Sequence, residues 1–66
     1  MIIVMRSKAT KAEIDGIRKH LEEMGFGSHL SEGVERTIIG AIGNRDVLLA
    51  ANVEAWPGVE RVVPIR

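Results

Sequence analysis

The chain has no cysteine, no tyrosine, one phenylalanine, one tryptophan and two prolines in 66 residues. Without cysteine there are no disulfides and no thiolate metal sites. Two histidines alone make a thin ligand set for a metal. The shortage of aromatics removes the stacking platform on which RRM-type domains hold bases. An excess of charge of one sign is also missing: nine Lys and Arg offset nine Asp and Glu. The electrostatic footprint of a nucleic-acid binder is therefore absent. No apolar run approaches the roughly 18 residues of a membrane span. The start Met1-Ile2-Ile3-Val4-Met5-Arg6 has neither the charged leader nor the long apolar stretch of a signal peptide. Nucleic acid and membrane thus drop out as expected partners, and a cytoplasmic setting follows by default.

A chain this short forms one domain and buries only about 60% of the surface its unfolded form exposes. Small domains offset that deficit with disulfides, a metal or association. Disulfides being excluded and a metal only thinly supplied with ligands, association with another subunit or domain is the expected remedy.

What is present is organised around His29-Leu30-Ser31-Glu32-Gly33-Val34-Glu35-Arg36-Thr37-Ile38-Ile39-Gly40. Polar and apolar residues alternate, break at Glu32-Gly33, and alternate again. This reads as a β-hairpin with strands near 26–32 and 35–43. Successive side chains in a strand point to opposite faces. Phe26, Ser28 and Leu30 then share the core face, while Gly27, His29 and Ser31 share the other. His29 and Ser31 stand about 7 Å apart, an imidazole and a hydroxyl side by side. The pair could grip a small polar ligand; the plain alternative is a His and a Ser facing water. Catalysis is disfavoured, because a nucleophile and its base need hydrogen-bond contact and an orienting third group.

Around the hairpin, Ile2 to Met5 reads as a short strand covered on both faces. Thr10-Lys11-Ala12-Glu13 fits a capping box. Ile14, Ile17, Leu21 and Met24 form one helical stripe, with Lys11/Asp15, Asp15/Lys19, Arg18/Glu22 and Lys19/Glu23 spaced four apart outside it. Gly25 suits the left-handed residue that ends the helix. Gly16, in the helix interior, either permits close approach to a neighbour or has no special role, the second reading being favoured. Asn44 caps a second helix that buries Val47, Leu48, Ala51 and Ala55 and stops at Trp56-Pro57-Gly58. His20 reads as a boundary residue and Trp56 as a lid over the core. Val59, Val62, Val63 and Ile65 form a last strand. The order β-α-β-β-α-β predicts an α+β, ferredoxin-like fold: a four-stranded antiparallel sheet with two helices on one face. The second hairpin strand has apolar residues on both faces, so the helix-free face is expected to be partly covered from outside.

His29-x-Ser31-x-Gly33-x-Glu35-Arg36-Thr37-x-Ile39-Gly40, with Gly43 following, resembles the N-terminal ferredoxin-like, ACT-like domain of type Iβ 3-deoxy-D-arabino-heptulosonate-7-phosphate (DAHP) synthases. The likeness extends over the whole chain, from Met1-Ile2-Ile3-Val4-Met5 to Gly58-Val59-Glu60-Arg61-Val62-Val63. In that family the small domain precedes a (β/α)8 barrel. The barrel uses a divalent metal to condense phosphoenolpyruvate with erythrose 4-phosphate, at the entry to the shikimate pathway. The resemblance implies a regulatory domain for residues 1–66, sensing an aromatic amino acid, with tyrosine favoured, by pairing with another copy. It implies ligand-binding roles for His29, Ser31, Gly33 and Thr37. Interface roles are expected of Glu35, Arg36 and Ile39; for Glu35 and Arg36, which follow the hairpin turn, the plain alternative is cross-strand or solvent pairing. No cofactor and no catalytic residue are expected in these 66 residues, because the barrel's residues are not among them. A ligand-independent oligomerisation or docking module is the alternative. An acylphosphatase-type enzyme would need a glycine-rich phosphate loop, which Arg6-Ser7-Lys8-Ala9 does not supply.

Overall fold

A computed structural model describes residues 1–64, apart from the side chain of Arg45. Its elements are β1 (Ile2–Met5), α1 (Lys11–Glu23), β2 (Gly27–Glu32), β3 (Thr37–Ile42), α2 (Arg45–Ala50), a 3-10 turn (Val53–Ala55) and β4 (Val59–Val63). The strands lie in the order β2-β3-β1-β4, each antiparallel to its neighbours. This is the expected ferredoxin-like arrangement.

Local chemistry sets the ends of α1. The Glu13 N–H donates to Thr10 Oγ1 at 3.1 Å, and the Thr10 N–H donates to Glu13 Oε1 at 2.9 Å. The predicted capping box is thus formed, stabilising the helix start by about 1 kcal/mol. At the other end Gly25 adopts φ +82°, which costs a residue without Cβ nothing. The Gly25 N–H then reaches the Glu22 carbonyl, and the Phe26 N–H the Leu21 carbonyl, in a Schellman termination. The four charge pairs expected along α1 do not close; among the described residues the one ion pair joins Arg36 to Glu60.

The second helix departs from expectation. It ends at Ala50, and Asn52 turns left-handed at φ +52° before the 3-10 turn. Asn tolerates that conformation better than most residues. The change of direction brings Val53 into the core at 3% exposure, while Val47 stays 46% exposed and Ala55 lies at the surface. Leu48 is buried and Ala51 half-buried, as predicted. Ile65, expected in the last strand, lies outside the described residues.

The core lies between the sheet and the helices: Ile3 and Met5 of β1, Ile39 and Ala41 of β3, and Val59 of β4 meet Ile17, Leu21, Leu48 and Val53. Phe26 closes it at the β2 end, where a Cβ on Gly43 would come within 2.5 Å of the ring. Trp56 is half-buried, packs against this core and donates its Nε1–H to the Ala51 carbonyl at 3.2 Å, so it is the lid it was read to be. The exposed His20 ring stacks on it, with centroids 4.1 Å apart.

Candidate functional site on the helix-free face

Strand register decides which side chains meet. In β2 and β3, Leu30 pairs with Ile39, Ser28 with Ala41 and Glu32 with Thr37, all on the helix side. Across the other face run two rows. One is His29, Gly40, Ile2 and Val63; the next is Ser31, Ile38, Val4 and Arg61. His29 and Ser31 are exposed and lie in adjacent rows, as the alternation required. The expectation that β1 is covered on both faces also holds in part. Val4 is buried although no helix lies over it, because it sits mid-row between Ile38 and Arg61.

Gly40 gives this face its shape. A Cβ placed there would have nothing closer than His29 Cβ and O, at 3.8 Å. The missing side chain leaves a shallow hollow between His29 and Ile2. Ile38 and Ile42 flank it along β3, Ile42 at 70% exposure. The hollow can take a flat apolar body, and the imidazole and hydroxyl beside it can bond a polar group. Sequence reasoning named the two polar residues but gave Gly40 no part; a glycine inside an otherwise β-branched strand is the signal that was available.

The other expected residues are distributed differently. Gly33 closes the hairpin: its N–H donates to the Arg36 carbonyl at 2.8 Å, and a Cβ would crowd that same oxygen. Thr37 is half-buried on the helix side and so does not share the hollow with His29 and Ser31. Ile39 has no exposed surface at all, so it is a core residue and not an interface residue; its neighbour Ile38 carries the exposed side. Glu35 is exposed in the loop beside Val34, whose side chain is wholly in solvent. Arg36 is exposed and engaged with Glu60 in an ion pair that spans the end of β1. Such an exposed pair is worth up to about 1 kcal/mol.

A second concavity, of about 530 Å³, opens on the helix side between Ala12, Gly16 and Ile17 of α1 and Trp56-Pro57. It was not anticipated. The hint in the sequence was Gly16, where an added Cβ would meet no side chain or neighbouring element within 4 Å. Among the described residues no three His, Cys, Asp or Glu side chains gather to hold a metal. No helix is long and apolar enough to cross a membrane.

The family model for the DAHP synthase ferredoxin-like domain matches residues 1–66. The chain belongs to that family. It is 35% identical over 65 residues to the phospho-2-dehydro-3-deoxyheptonate aldolase of Thermotoga maritima, covering 98% of this chain and 19% of the relative. The crystal structure of the DAHP synthase from the same organism superposes with a TM-score of 0.86 at 34% identity, again over 98% of this chain and 19% of that one. The 66 residues thus correspond to the small ferredoxin-like domain and span about a fifth of the relative's length. A catalytic barrel is not among them.

Proposed function

We propose that this domain is the effector sensor of a DAHP synthase, binding an aromatic amino acid, with tyrosine favoured, in feedback control of aromatic amino-acid synthesis. One observation carries the reading: His29 and Ser31 stand in adjacent rows beside the hollow over Gly40, flanked by Ile38 and Ile42. An aromatic ring fits the apolar floor, and a phenolic hydroxyl, both donor and acceptor, suits an imidazole beside a serine. The ligand acts by favouring a paired arrangement of two domains, and shifts that equilibrium only by its differential affinity for the pair. In the complete enzyme the paired domains restrict entry to the catalytic barrel, in a cytoplasmic setting. Membership of the DAHP synthase family supports this reading.

A ligand-independent association module is the second reading. Its support is the exposed apolar surface of Ile38, Ile42 and Val63, which a partner could cover without any effector. Sedimentation equilibrium of the 66-residue chain with and without tyrosine separates the two. Sensing requires that tyrosine tighten self-association, that phenylalanine do so less, and that His29→Ala remove the response. Association that ignores both amino acids and the substitution establishes the second reading in its place.

A further inference from the structure

The groove between α1 and Trp56-Pro57 lies on the helix side of the sheet and takes no part in the sensing reading. One wall is a single face of α1: Ala12, Gly16 and His20 follow at steps of four, with Glu13 and Ile17 beside them. Ile17, 3% exposed, forms the floor. Gly16 opens the groove, since an added Cβ would meet no side chain or neighbouring element within 4 Å. At about 530 Å³ the space is of the size that holds small molecules, and like most such sites its lining is mainly apolar.

Two polar groups stand at its ends, and both are held in place. Glu13 is half-buried. Its Oε1 accepts the Thr10 N–H at 2.9 Å. Its stem lies across Gly58, where a Cβ would come within 3.1 Å of Glu13 Cβ and 3.3 Å of its Cδ. Glu13 Oε2 accepts no hydrogen bond among the described residues. Arg6 and Lys8 border a neighbouring depression with Glu13, yet neither closes an ion pair with it among the described residues. At the other end the His20 ring is stacked on Trp56 with the planes 12° apart. Along the axis of α1, Gly16 is about 4.5 Å from Glu13 and about 6 Å from His20.

We propose that this groove binds a small organic cation, a flat ring joined by a short tether to an ammonium group. The ring lies over Gly16 on the Ile17 floor and meets the edge of the His20–Trp56 stack, where rings pack favourably offset or edge-on. The ammonium reaches Glu13 Oε2, less than one helical turn away. A carboxylate half-withdrawn from water and already fixed by a hydrogen bond attracts a cation more strongly than a mobile surface one. Charge decides the class of ligand. A ring carrying a carboxylate would set like charges together at Glu13. An amino-acid zwitterion holds its carboxylate one carbon from the ammonium and meets the same repulsion. The groove therefore rejects the tyrosine that suits the hollow over Gly40, and the inference stands apart from the sensing reading. An apolar side chain of a partner protein would cover the same floor but leave Oε2 unanswered.

Phenethylamine, phenethyl alcohol, phenylalanine and hydrocinnamate share a ring and a short tether and differ in charge. Each is titrated into the 66-residue chain and followed by amide shifts and by the emission of Trp56, the one tryptophan. Phenethylamine should give saturable shifts at Gly16, Ile17 and the Trp56 indole N–H at millimolar concentration. It should bind about tenfold more tightly than the alcohol, because a hydrogen bond to a charged group is the stronger kind, and more tightly still than the other two. Glu13→Gln keeps the capping box, since Gln also serves at that position, and should reduce the amine to the affinity of the alcohol. Gly16→Leu fills the groove with a better helix former; it should fold at least as stably and lose the binding. Absence of shifts at Gly16 and Trp56 with phenethylamine, or undiminished binding in Glu13→Gln, overturns the site. Equal affinity for amine and alcohol overturns it too, and marks the groove as a seat for a partner's apolar side chain. Should a variant misfold, the ligand series on the unsubstituted chain decides.

Discussion

The two faces of this sheet are built from the same residue types and have different fates. On the helix side Ile3, Met5, Ile39 and Ala41 are shut away beneath α1, α2 and the 3-10 turn. On the other side Ile38, Ile42 and Val63 remain in contact with water, interrupted by Gly40 and by the polar pair His29 and Ser31. Burial per side chain is what makes an isoleucine stabilising, at roughly 25 cal/mol per Å² removed from water. The helix side therefore holds the domain together. The helix-free side, where Val4 is buried but Ile38, Ile42 and Val63 are exposed, contributes less to its stability, and it is the face proposed for effector recognition.

The comparison breaks first if the two faces respond alike to truncation. Ile39→Ala should cost about 2–5 kcal/mol in urea unfolding, because it removes a fully buried side chain and leaves a cavity. Next, Gly43→Ala should cost about 1–3 kcal/mol, since the new methyl meets the buried Phe26 ring. The smallest effect belongs to the other face: Ile42→Ala should stay within about 0.5 kcal/mol of the unsubstituted chain, as surface changes do. A loss at Ile42 rivalling that at Ile39 would mean that the helix-free face is a core in its own right.

Much of this was legible in the residues. The capping box, the Gly25 stop and the switch from helical to alternating periodicity locate α1 and the hairpin within a residue or two. Strand alternation alone put His29 and Ser31 on the face away from Phe26 and Leu30. Ile39 and Thr37 were misplaced for a physical reason. β3 carries apolar side chains on both faces, so its own pattern does not say which face is inside. Its register with β2 does, because Leu30 faces the core and pairs with Ile39. That register depends on a two-residue loop at Val34-Glu35, one step later than the break at Glu32-Gly33 suggested. The early end of α2 had a similar origin: the run through Ala50-Ala51 favours a longer helix, and only Asn52, turning left-handed, redirects Val53 inward.

Effector recognition is proposed for the helix-free face, while stability rests on the other. Amide chemical-shift mapping during a tyrosine titration of the 66-residue chain tests it most directly. The perturbed amides should cluster in the rows through His29–Gly40 and Ser31–Ile38, and the amides around Gly16 and Trp56 should stay still. Perturbations centred on the groove between α1 and Trp56-Pro57, or none anywhere up to the solubility limit of tyrosine, would contradict it.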